Sequence, residues 1–232
     1  MKRILAILLT LVLLLPAVAI GEKFSPSDIR DARAKALELF HDCAFGSGES
    51  ARDNIIRWEG AIRIFAAGKP GKKDLQELDK FILELQLRVP GLPSVTRVTS
   101  EDGANLIIRY NKARELPDLI PSYTKGSQAC FTVTHSAAVI SKGEIGLTTD
   151  KMSQKNRNHM MREMLVGALG LTKAHSRYTD SILYHNKKNQ SLSTVTLSEA
   201  DWLMLNYLYS PLVPTGSGWE AIRQTLKEHY GF

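Results

Sequence analysis

Residues 73–89 carry the pattern that most restricts the fold. Leu75, Leu78, Phe81, Ile82, Leu85 and Val89 fall on one stripe at helical spacing, with Lys, Asp and Glu on the other side. A helix of this kind holds only where its stripe is buried on another apolar layer. Pro90 and Gly91 stop it at once, because proline lacks the amide donor and crowds the preceding turn.

Several short apolar runs supply that layer. Residues 55–65 read as a strand interrupted at Glu59 and Gly60, a place for a bulge or bend. Residues 94–99 and 104–110 read as two strands joined by the turn at Glu101, Asp102 and Gly103. Residues 117–126 form a loop, and residues 129–140 and 144–148 form a further strand pair around Lys142 and Gly143. Helices are expected over residues 154–169, 197–209 and 219–229. Ahead of them all, Ser25 and Pro26 open a helix in which Ile29, Ala32, Ala36, Leu39 and Phe40 recur at helical spacing to about His41. A Gly/Ser-rich turn over residues 44–50 follows it. The order predicts an α+β fold: one domain with a twisted mixed sheet, backing helices and a helical C-terminal part.

Residues 1–19 read as a signal peptide. Lys2 and Arg3 precede an apolar run over residues 4–15 broken only by Thr10, and Ala17 and Ala19 offer a small-x-small cleavage pattern. An uncleaved anchor is the other arrangement, and then the membrane is met only through this segment. Organisation is therefore signal 1–19, N-terminal helix and turn 20–54, and main domain 55–232. Without Lys2 and Arg3 the net charge of +6 falls to +4, spread along the chain. No Lys/Arg block is dense enough to argue for nucleic acid. Export to an oxidising compartment makes the two cysteines, Cys43 and Cys130, candidates for one disulfide. Two buried thiols are the alternative.

Phosphate-binding glycine loops, a Gly-x-Ser-x-Gly elbow and Cys-x-x-Cys pairs are all absent from the sequence. Serines, His135, Asp150 and Asp180 show no spacing that places a nucleophile beside a base. Met160, Met161 and Met164 read as core packing or as a flexible apolar groove, and Trp58, Trp202 and Trp219 as core.

One resemblance spans roughly residues 55–216. It is carried by Arg57 and Trp58, Ile62 and Ile64, Ala104 to Leu106, Glu163 with Gly170 and Leu171, Ser181 to Leu183, Leu197 with Asp201, and Leu208 to Pro211. In this order they resemble a bacterial family of exported proteins of unknown function whose domain looks like a degenerate metzincin, a zinc-protease scaffold. The metzincin helix carries His-Glu-x-x-His and ends at a glycine, with a third His beyond it. With Gly170 as that glycine, Glu163 and Gly167 stand at the two helix histidines, Met164 at the catalytic Glu and Lys173 at the third His. Leu183 and His185 then stand at the Met and Tyr of the turn that lies beneath the zinc. The resemblance implies a metzincin-like scaffold without its zinc site, no cofactor, Glu163 as the sole catalytic candidate, and an unidentified protein or peptide partner in the periplasm or outside the cell.

Two other readings stand beside it. His159 and Glu163, four apart on one helical face, together with His175 make a His/Glu/His set acceptable to zinc, although Met160 follows His159 where a metallopeptidase needs its base. The second is an interaction module anchored by the uncleaved N-terminal segment.

Overall fold

The computed structural model describes residues 26–46, 51–185 and 194–231. The expected signal peptide of residues 1–19 lies outside them. No helix among the described residues is long and apolar enough to cross a membrane.

The amphipathic stripe forms helix α2, Lys72–Arg88. Leu78, Phe81, Ile82 and Leu85 are buried along it, and so is Asp74, whose carboxylate caps the first turn by accepting the Gly71 amide at 2.8 Å. The helix links two strands of a mostly parallel sheet. Residues 55–65 divide where Glu59 and Gly60 interrupt them, giving β1, Arg57–Trp58, and β2, Ile62–Gly68. Then come β3, Val95–Arg97, and β4, Leu106–Asn111. The short helix α3, Leu116–Leu119, precedes β5, Ala129–Ser136, and β6, Val139–Thr148. The order is β1-β6-β4-β2-β3, with β5 antiparallel on β6 and the other pairings parallel. The fold is mixed α/β.

Two turn expectations need correction. β3 and β4 do not form a hairpin, because each pairs in parallel with β2 on opposite sides. β3 ends beside Ile64 and β4 begins beside it, so the chain steps across β2 at that level. The hairpin β5–β6 turns at Ala137 and Ala138, not at Lys142 and Gly143. Both alanines have positive φ, 46° and 68°, the left-handed conformation that two-residue hairpins require.

Four helices complete the fold: α1, Pro26–Ala44; α4, Gln154–Ala168; α5, Glu199–Leu208; and α6, Trp219–Tyr230. α4 lies on β5 and β6 and against α2, whereas α1 packs on α5 and α6. Ala36, Leu39, Phe40 and Cys43 of α1 belong to the same core cluster as the sheet and α4.

The expected Cys43–Cys130 disulfide is not present. Both are free thiols. Cys43 is buried in the main core, whereas Cys130 stands opposite Gly146 on β6 and packs with Leu116, Ile120 and Tyr123 in a separate cluster. Neighbouring β6 residues Ile145 and Leu147 point into the main core. Strand alternation therefore puts the two sulfurs on opposite faces of the sheet. Burial pushes the thiol pKa of both upward, the direction of an inert thiol.

Candidate functional site

Helix α4 starts on Ser153, whose hydroxyl accepts the Asn156 amide at 3.2 Å, and its end is fixed from several directions. Gly170 has φ +126°, and a Cβ there would lie 2.3 Å from the Ile56 carbonyl oxygen. The Trp58 indole donates to the Ala168 carbonyl at 2.9 Å and the Tyr209 hydroxyl to the Leu169 carbonyl at 2.7 Å. These satisfy carbonyls that a helix leaves without internal partners. Arg57 does the same for α5, donating to the Leu208 carbonyl at 2.8 Å, and it also donates to the Val213 carbonyl beyond the helix at 2.8 Å. Arg57, Trp58, Gly170 and Tyr209, all residues of the resemblance, thus join β1 to the ends of two helices.

The positions where the resemblance calls for zinc ligands are otherwise occupied. A Cβ at Gly167 would stand 2.7 Å from two ring carbons of Phe131, on β5, so that ring fills the space a longer side chain needs. Met164 is buried. The Lys173 amide donates to the Cys43 carbonyl at 3.0 Å and its stem passes over Gly46, toward the end of α1. Leu183 is in the core and His185 is exposed.

The Ser181–Leu183 turn is held by a buried carboxylate. Asp201 of α5 accepts from the Ser181 hydroxyl at 2.5 Å, the Ile182 amide at 2.9 Å, the Ser198 amide at 2.8 Å and the Ser198 hydroxyl at 2.9 Å. Four donors on one carboxylate offset its desolvation. The turn is fixed by hydrogen bonds within the protein.

Of the alternative zinc set, the structure brings two members together. His159 Nε2 lies 3.1 Å from Glu163 Oε2. His159 Nδ1 meets the Thr194 carbonyl, which is only an acceptor, so Nδ1 carries a proton. The other ring nitrogen is turned to a carboxylate oxygen of Glu163. His175 is elsewhere, buried between Tyr178 and Tyr184, its Nδ1 accepting the Arg177 amide at 3.3 Å. Among the described residues no three His, Cys, Asp or Glu side chains converge as a metal site.

Burial pushes the His175 imidazole below its ordinary value of 6.5, against the opposing pull of Asp201 and Asp42. A depressed histidine is protonated more readily in the unfolded chain. Its contribution is therefore whole above 6.5 and is lost as pH falls through that value toward the lowered one. Urea unfolding at a series of pH values is expected to show His175→Gln losing part of the acid-side slope, by less than about 1.4 kcal/mol per pH unit.

Arginine pairing is where sequence reasoning missed most. Arg157 and Arg162, near neighbours of Glu163 on α4, pair instead with carboxylates of α2. Arg162 is buried, donates to Glu77 at 2.7 Å and Glu84 at 2.6 Å, and lies over the Phe81 ring at 4.5 Å. Arg157 and Gln154 both donate to Asp74, at 2.8 and 2.7 Å. The available signal was the seven-residue spacing of Glu77 and Glu84, which sets two carboxylates beside the apolar stripe of α2. Phe131 had no such signal.

A protein-family profile described as "Protein of unknown function (DUF2927)" matches residues 33–228. No curated protein matches the chain.

Proposed function

The chain belongs to the DUF2927 family of proteins of unknown function, and from that premise we propose that it is an exported, non-catalytic domain on a metzincin-like scaffold that binds an extended protein or peptide segment in the bacterial envelope. The observation that carries this is the Phe131 ring against Gly167. A histidine placed there must displace the ring, and the ring itself offers a metal only carbon. Trp58, Tyr209 and Asp201 hold the surrounding frame through hydrogen bonds to backbone and hydroxyl groups, so the frame has its own supports. The binding role is supported by β5. Its side away from β6 carries no paired strand among the described residues, and a row of unpaired amides and carbonyls can take an extended peptide as an added strand. Export rests on the leader expected in residues 1–19.

His159 and Glu163 favour a second reading, a zinc peptidase, because they already lie together. Metal analysis separates the two. After expression with added zinc, the full chain is expected to carry substoichiometric metal and to show no chelator-sensitive peptide cleavage. One equivalent of zinc with cleavage, both lost in His159→Ala, would establish the peptidase.

A further inference from the structure

A cavity of about 440 Å³ opens between the C-terminal end of α1 and the loop that follows α4. Its volume lies in the range of small-molecule sites, about 300–1,000 Å³. Asp42 is the carboxylate among its described lining residues, and it is already engaged: Arg177 Nε stands 3.0 Å and His41 Nδ1 3.5 Å from it. The Lys173 ammonium, the Ser176 hydroxyl and the His185 ring have no hydrogen-bond partner among the described residues. What the cavity has left to offer is therefore donors and positive charge.

These donors are held in place. Gly46, at φ +77°, brings the backbone so close to Lys173 that a Cβ would lie 3.1 Å from its Cγ, which fixes the lysine stem along the wall. The Arg177 guanidinium is anchored to Glu38 at 3.3 Å as well as to Asp42. The His185 amide donates to the His175 carbonyl at 2.7 Å, which holds its backbone beside the cavity. A donor-rich pocket with its acid neutralised suits a small oxyanion, because charge-assisted hydrogen bonds to phosphate or carboxylate oxygens are stronger than neutral ones.

We propose that this cavity binds a small organic oxyanion, a phosphate monoester or a carboxylate, with Lys173 as the principal contact and Ser176, Arg177 and His185 as further donors. The test is isothermal titration of the full chain with inorganic phosphate and, separately, with citrate; the probe that binds identifies the kind of oxyanion. Saturable binding of at least one probe is expected, weakened about tenfold in Lys173→Met, the worth of one charge-assisted contact. It should be unchanged in Lys80→Met, which removes an exposed cation on α2. Arg177→Gln is expected to weaken binding too, since it also frees the Asp42 carboxylate to face the anion, and it reports on the site should Lys173→Met fail to fold. No saturable heat with either probe, or an equal loss in Lys80→Met, would overturn the proposal.

Discussion

Arg162→Met is expected to lower the unfolding free energy by about 3–5 kcal/mol, read as a drop in the urea midpoint at unchanged slope. The guanidinium is 1% exposed and holds Glu77 and Glu84 of α2 against α4. Methionine keeps an apolar stem over Phe81 but leaves two carboxylates on a partly closed interface without their cation. Glu77 and Glu84 side chains are 16% and 29% exposed, so water recovers part of the loss and the lower end of the range is expected. Adding Glu77→Leu and Glu84→Met to Arg162→Met should then restore most of the stability, because an apolar replacement of a whole buried ion group is often neutral or stabilising. A loss below about 1 kcal/mol in Arg162→Met, the scale of an exposed pair, would show that the cluster does not tie α2 to α4.

Gly170→Ala should be comparably damaging, at about 3 kcal/mol or more. Two costs add there. The backbone sits at φ +126°, strained for any L side chain, and the new methyl would lie 2.3 Å from the Ile56 carbonyl oxygen. Gly126→Ala separates the two, since that glycine has φ +94° but nothing within 4 Å of a Cβ. Its loss should be confined to about 1–3 kcal/mol of backbone strain. If thermal unfolding finds the two variants equal, the contact with the Ile56 carbonyl carries no weight.

Local signals were readable in the sequence and long-range choices were not. The stripe from Leu75 to Val89, the stop at Pro90, and the break at Glu59 and Gly60 each depend on neighbours within a few residues, and each appears in the structure. The turn at Ala137 and Ala138 was not legible because two alanines lack the Asn-Gly or Asp-Gly chemistry that announces positive φ. The placement of β3 and β4 on opposite sides of β2 was hidden for another reason: alternation identifies a strand and its buried face, not its neighbour. At α4 it was plain that Glu163 and Gly167 stand where the resemblance calls for histidines. What fills the space beside Gly167 was not, since Phe131 lies far away in sequence and meets Gly167 only once β5 is on the sheet. The cysteine pair misled in the same way. Count and compartment suggested a bond, whereas strand parity put the sulfurs on opposite faces.

The latch built by Arg57, Trp58 and Tyr209 has a consequence in time. Trp58 meets Ala168 across 110 positions of sequence, and Arg57 meets Leu208 across 151. A chain emerging N-terminus first can make α2 and its flanking strands early, but Trp58 has no carbonyl to cap until α4 has been synthesised, and Arg57 none until α5 has. The bonds of Arg57 at the start of the sheet must wait for nearly the last helix. Folding that depends on such distant contacts is slow, and a chain truncated before Tyr209 would keep the Trp58 cap on Ala168 but lose the bond that holds the Leu169 carbonyl.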